Sequence, residues 1–392
     1  MIRDLEKNKV LMTHASIQRP RILIAPTAVA GNSIETHRAL LRAGENSTCL
    51  IYEDNQYVPS EIKVLFKESD SVLRRELLRL YSVLTNSLKF DVYLFNFGTS
   101  LAFPSNFPYL EGSFLRKSIC RLHEVWTDLL QLYELSVLRI RRCRIIVIYQ
   151  GDDARQGDYS LNNYDVSIAS ITQEYYSPRS DRRKRRHIAR LEKFGAKLLA
   201  LNPDLLDVLP PESSFLPYSH INLGTWTQVA YPKLDGPLVI GHAPSVKSVK
   251  GTEKISQAVD RLRDKGIDVE LRLFYNIPNN KIRESIASCH VLIDQIYAGF
   301  YGGVAVEAMS VGRPVLCFIR HADLRHLPKE MVDDLPIISI SASTLEADIE
   351  ELSLLSEEQL RDLASKSRQY VEKWHDSNSV AKLVSQMWNQ DH

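Results

Sequence analysis

The sequence predicts an α/β protein made of two doubly wound, Rossmann-like domains. Three observations lead there. Short apolar runs alternate with segments of helical period along the chain. Some runs, such as RIIVIYQ at 144–150, are unbroken, as in parallel strands covered on both faces. The length of 392 residues exceeds what one core usually organises and suits two domains.

Taken in order, PRILIAP (20–26) reads as a buried strand, AGNS (30–33) as a turn, and IETHRALLRA (34–43) as a helix closed by Gly44. STCLIY (47–52) and DVYLFNF (91–97) read as strands, with a helical segment over 61–88 between them. A long helix near 111–138 leads into the 144–150 strand, and a basic helix over 179–193 precedes the strand AKLLAL (196–201), Pro203 and Pro210-Pro211. The loose stretch 216–236 reads as a linker between a first domain, 1–215, and a second, 237–375. The second series runs PLVIG, helix 252–264, DVELRLF, helix 278–288, HVLID, helix 303–311, PVLCF and PIISI. Helices fill 343–375, and a last one over about 377–390 belongs to a closing segment, 376–392.

Charged residues at 25% and hydrophobic residues at 44% fit a globular protein in water. A net charge of +1 speaks against a generally basic nucleic-acid binder, and no nucleic acid is expected as a partner. No apolar run approaches the roughly 18 residues of a membrane span. The N-terminus MIRDLEKNKVLMTH lacks the apolar core of a signal peptide. Cys49, Cys120, Cys143, Cys289 and Cys317 are odd in number and scattered, which suits reduced thiols and a cytoplasmic location.

The stretch DQIYAGFYGGVAVEAMSVGRPVLCF, starting at Asp294, carries the densest chemistry. Gly299, Gly302 and Gly303 remove side chains where a helix begins, so backbone N–H groups around Phe300, Tyr301 and Val304 can close on an anion. Glu307, one turn into that helix, suits hydrogen bonds from vicinal sugar hydroxyls. An anion cradle beside a diol acceptor implies a nucleotide-sugar site; helix–sheet packing is the plainer reading of the same glycines. Upstream, GHAPSVKSVKGT (241–252) places His242, Lys247 and Lys250 between a strand and a helix capped by Thr252. A lysine there is either a point charge for a diphosphate or a solvated loop residue.

Three further places stay open. Gly31 and Asn32 follow the first strand, where ligands meet open sheets, and a plain turn explains them equally. QGDDAR (150–155) sets Asp152 and Asp153 after the most buried strand: acceptor positioning by an aspartate, a structural Asp–Arg pair with Arg155, or a metal site, the last the least favoured. The basic run RRKRRHIAR (182–190) is either a solvated helix face or a patch for anionic lipid or a lipid-diphosphate acceptor, a peripheral membrane contact that Arg139–Arg144 could extend.

From about Gly236 to His375 the chain resembles the donor-binding domain of retaining glycosyltransferases of the GT-B fold, family 4. Lys250-Gly251 matches that family's Lys-Gly pair, and Glu307-Ala308-Met309 with Gly312-Arg313-Pro314-Val315 matches the end of its two-glutamate motif. Two departures stand out: the family's first glutamate falls at Gly299, and its arginine falls near His242 or Lys247. The first half matches weakly, chiefly where QGDDAR is similar to the family's HGSDVR.

The resemblance implies two domains facing across a cleft, with the last helix crossing back to the first. It implies a nucleoside diphosphate donor, UDP-glucose or another UDP-sugar, with no cofactor and no metal. A hexose would pass, with retention, to a saccharide or lipid-linked saccharide in polysaccharide biosynthesis. Lys250 would stabilise the leaving diphosphate, Glu307 would hold the ribose, and Asp152 would position the acceptor. Asp294, or Gln295 beside it, would bind the sugar hydroxyls that a glycine at 299 has no side chain to reach. The base would rest against Phe274 to Ile277. Two other readings share the architecture: a sugar-nucleotide epimerase, and a catalytically silent nucleotide-sugar binding protein.

Overall fold

In the computed structural model, which describes residues 19–55, 58–102, 114–172 and 176–389, every strand pairing is parallel and the strands form two sheets. The first contains β1 (Arg21–Ala25), β2 (Asn46–Ile51), β3 (Lys63–Val64), β4 (Val92–Asn96), β5 (Arg144–Tyr149), β6 (Lys197–Ala200) and β7 (Ser214–Phe215). Its spatial order is β3-β2-β1-β4-β5-β6-β7, so the direction of winding reverses between β1 and β4. The second contains β8 (Leu238–His242), β9 (Val269–Leu273), β10 (Val291–Ile293), β11 (Val315–Cys317) and β12 (Ile338–Ser339), ordered β12-β11-β10-β8-β9, with its reversal between β8 and β10. The doubly wound α/β expectation therefore holds for both sheets.

The unbroken apolar runs are buried on both faces, as their composition requires: Ile145 to Tyr149 in β5 and all five residues of β4 are inaccessible. One apolar cluster runs from Ile22, Ile24 and Ile148 through Tyr218 and Ile221 to Phe300, Ala305, Met309 and the last helix at Val380 and Trp388. It joins the two sheets into one body. The remaining faces have their own cores, around Tyr93, Phe95 and Val147 in the first sheet and Ile240, Val259 and Ile293 in the second.

The last helix, Ser377–Asn389, lies against the first one, Asn32–Arg42. Arg42 donates to Asn378 at 2.8 Å and to Ser377 at 3.0 Å, and the Ser377 hydroxyl donates to Glu35 at 3.0 Å. A backbone bridge between Ile221 and Asp376 fastens the crossing.

Two local expectations fail. The segment read as helical over 61–88 starts with a Pro59 turn and the edge strand β3, and its helix, Val72–Asn86, begins only where the Ser71 hydroxyl accepts the Arg74 amide. The loop holding Lys247 and Lys250 is a one-turn helix, Lys247–Lys250. The long helix occupies Phe114–Ile140; the first residues assigned to it, 111–113, lie outside the described residues, as do the N-terminal 18 and position 390 of the last helix.

Candidate functional site

Both reversal points present their carboxyl ends to the same region between the sheets, where open α/β sheets take ligands. From the second sheet come β8 with Lys250, β10 with Asp294, and the eight-residue helix Gly303–Ser310. From the first come Gly31 and Asn32 after β1.

Asp294 organises this region. Its side chain is fully buried; one oxygen receives the Lys250 ammonium at 2.5 Å and the other the Gly302 amide at 2.6 Å. Lys250 keeps 18% of its side-chain surface, so its charge faces both the carboxylate and the opening. Gly251 supports the lysine: its φ is +78°, and a Cβ there would overlap Ile296. A Cβ on Gly302 would stand 3.3 Å from the Lys250 ammonium nitrogen, so the glycine lets lysine and helix start approach. The Ala305 and Val306 amides close on the Gly302 carbonyl at 3.1 and 3.4 Å, while the Gly303 and Val304 amides come before the first intrahelical bond.

Asp294 is thus no free acceptor for a sugar hydroxyl; both oxygens are committed to positioning Lys250 and Gly302. Gln295 is committed too: its side-chain oxygen accepts from Tyr297 and Ala298 at 2.7 and 2.5 Å, and its nitrogen donates to the Phe300 carbonyl at 2.7 Å. The space beside Gly299 is filled instead by Arg320. Gly299 has φ +85°, and a Cβ would meet the Arg320 guanidinium at 2.5 Å. Arg320 is held by Asp323 at 2.7 Å and the Val166 carbonyl at 2.8 Å, and it stacks on Tyr164 at 3.7 Å.

Glu307 projects from Gly303–Ser310 with 16% of its side chain exposed, and its carboxylate lies 3.6 Å from His220 Nε2. Burial first, and the Asp294 charge second, push the Glu307 carboxyl up to about 8. Burial holds His220 down, to about 4. The Gly303 carbonyl lies close enough to favour its protonated form, yet neither ring nitrogen has a hydrogen-bond partner of normal geometry among the described residues. Near neutral pH the two side chains therefore face each other uncharged. Ser219 fixes the histidine: its amide donates to Asn32 Oδ1 at 3.1 Å and its hydroxyl pairs with Thr36 at 2.9 Å. The buried Asn32 Nδ2 is likewise without a partner among the described residues. Buried polar atoms left this way call for a partner.

Several expected ligands lie elsewhere. His242 is completely buried in the second core, donating from Nδ1 to the Ile293 carbonyl at 2.8 Å and accepting the Thr252 hydroxyl at Nε2 at 2.9 Å. Burial lowers its pKa to about 4, so it is a neutral strut and not a phosphate ligand. The Tyr301 side chain turns into the core, with its hydroxyl 2.9 Å from both Tyr370 and His375, and Phe300 packs edge-on against Phe215. Only their backbone is near the helix start. Lys247 is exposed and lies at 4.4 Å over the ring of Tyr275, which belongs to the loop after β9 that also carries Ile277. Val304 is half-buried in the first turn of the helix.

In QGDDAR, Asp152 receives Arg155 at 3.1 Å and the Tyr176 hydroxyl. Asp153 accepts the Gln150 and Gly151 amides at 3.0 and 2.6 Å. Arg155 also grips Asp204 at 2.7 Å. The structural Asp–Arg pair is present; both bonds to Asp152 fall on one oxygen, and its side chain keeps 40% of its surface. Sequence reasoning missed His220 and Arg320. Each is an isolated residue, one inside a stretch read as linker, and only topology brings them to the site.

No protein-family model and no curated protein matches this chain. Solved structures do. Sucrose-phosphate synthase from Thermosynechococcus elongatus aligns over 95% of this chain and 99% of its own at 13% identity, with a TM-score of 0.59. Anabaena HepE, solved in complex with UDP-glucose, aligns over 95% and 100% at 10% identity, TM-score 0.57. WaaG, a glycosyltransferase involved in lipopolysaccharide biosynthesis, aligns over 93% and 99% at 14% identity, TM-score 0.52. At these identities the likeness establishes the GT-B arrangement of two facing Rossmann-like sheets.

Proposed function

We propose that this chain transfers a sugar from a nucleoside diphosphate, a UDP-sugar by resemblance, to a hydroxyl of a saccharide or lipid-linked saccharide. The observation that carries the reading is the convergence of Lys250, the Gly302-Gly303 helix start, Glu307, His220 and Asn32 between the two carboxyl ends, with buried polar atoms left unpaired. Full-length similarity to several glycosyltransferase structures supports it.

In this reading the diphosphate lies at the start of Gly303–Ser310, where helix amides and the Lys250 ammonium stabilise the charge that grows as the sugar leaves. Asp294 sets the lysine's position. Glu307 accepts ribose hydroxyls. With the anomeric configuration retained, the departing phosphate oxygen takes the acceptor proton on the same face. A hexose donor, a role in polysaccharide assembly and a cytoplasmic setting belong to the same proposal.

The test is turnover. Purified protein is incubated with UDP-, GDP- and ADP-sugars, with and without saccharide acceptors, and nucleoside diphosphate release is followed. Release that requires an acceptor supports transfer. Sugar inversion without release indicates an epimerase, and binding without either indicates a silent binding protein.

A further inference from the structure

The two outer helices of the first sheet carry apolar residues on the side that faces water. On Val72–Asn86, Leu73, Leu77, Tyr81 and Leu84 recur at helical spacing and are 41–71% exposed. On Phe114–Ile140, Leu122, Trp126, Leu129 and Tyr133 do the same at 41–70%. A surface helix ordinarily shows the reverse pattern. The helices are neighbours, joined by His123 and Glu76 at 3.0 Å, so the two stripes form one outward face. Contiguous exposed apolar side chains of this kind mark a partner.

The far edge of that face says which partner. Roughly 100° or more round the helix from Leu122, Phe114–Ile140 and Pro178–Lys193 enclose a cleft of about 360 Å³ lined by Arg121, Arg179, Arg182, Arg183, Arg186 and Arg190. Glu124 and Asp128 are the carboxylates lining it, pairing with Arg179 at 2.6 Å and Arg190 at 2.8 Å, which leaves an excess of four positive charges. The His187 ring, held down to about 3 by burial, adds none. Two other basic residues of the helix serve the fold: Lys184 donates to the Arg155 carbonyl at 2.6 Å and Arg185 pairs with Asp158. Aliphatic and aromatic side chains beside a band of arginines match a bilayer interface, with acyl chains under the first and phosphates in the second.

We propose that this face is an interfacial membrane-binding surface for anionic bilayers, with lipid phosphates seated in the arginine cleft. No helix among the described residues is long and apolar enough to cross a membrane, so the protein lies on the bilayer. The proposal is independent of the sugar-transfer reading: vesicle binding is measured without donor or acceptor.

The experiment is co-sedimentation with phosphatidylcholine vesicles and with vesicles containing about one-third phosphatidylglycerol. Wild type should partition to the anionic vesicles in low salt and much less in high salt. Arg182→Ser with Arg183→Ser and Arg186→Ser should lower partitioning roughly 100-fold, at about tenfold or less per residue. Leu122→Ser with Leu129→Ser should also release the protein, with circular dichroism confirming the fold. Absence of wild-type binding at low salt overturns the proposal. Equal binding by the Leu122/Leu129 variant overturns it as well, since a purely electrostatic contact leaves the apolar face unexplained. So does a wild-type dimer that fails to bind vesicles and becomes monomeric in that variant, which assigns the face to a second copy.

Discussion

The Lys250 ammonium lies 2.5 Å from one Asp294 oxygen while the other oxygen holds the Gly302 amide at 2.6 Å, so a single buried carboxylate sets the distance between the site's cation and its helix start. Asp294→Ala should therefore loosen both. It should weaken a bare nucleoside diphosphate and an intact donor alike, and lower stability by up to about 3 kcal/mol, since Lys250 retains some water. Calorimetry and chemical denaturation check this. Unchanged diphosphate affinity with a raised donor Michaelis constant would return Asp294 to a sugar-contact role.

Lys250→Ala leaves the buried Asp294 carboxylate without its cation and so should cost some stability, but the folded variant should lose about 100-fold or more in turnover, near 3 kcal/mol. The charge matters most as negative charge develops on the leaving group. Near wild-type turnover in a folded variant would remove the lysine from the mechanism.

Glu307 should mark stability with a pH signature. Its folded value near 8 lies above the unfolded value of about 4.3, so the contribution of the neutral form is complete below about pH 4 and lost as pH rises through 8. Glu307→Gln mimics that neutral form. Denaturation from pH 5 to 8.5 should show wild type losing stability relative to the variant as pH rises. Parallel curves would mean the carboxylate is ionised throughout.

His220 is neutral at pH 7 in the free protein, and a diphosphate bound beside it would raise its pKa. Nucleotide binding should then take up protons, seen as a binding enthalpy that varies with the ionisation enthalpy of the buffer. His220→Gln should abolish the dependence. A buffer-independent enthalpy in wild type would place the phosphates away from the histidine.

Much of this architecture was legible in the sequence because parallel strands buried on both faces leave unbroken apolar runs such as Ile145–Tyr149, and helices between them keep their period. The edge strand β3 was not, being two residues, exposed Lys63 and half-buried Val64, without such a pattern. Lys250, Gly302, Gly303 and Glu307 could be picked out because they sit close together in two strand–loop–helix units. His242, Phe300 and Tyr301 lie in the same kind of unit yet serve packing, and composition cannot tell a buried strut from a ligand. His220 reaches the site through the fold alone: Ser219 is tied to Asn32 and Thr36, more than 180 residues away in sequence.

The central claim is that the Gly303 helix start and Lys250 hold a nucleoside diphosphate. Calorimetric titration of uridine, guanosine and adenosine diphosphate into wild type and Lys250→Ala tests it most directly. One of the three nucleotides should bind wild type and bind the variant at least about tenfold more weakly, a loss of about 1.4 kcal/mol or more. Absence of binding by all three, or equal affinity in the two proteins, would contradict it.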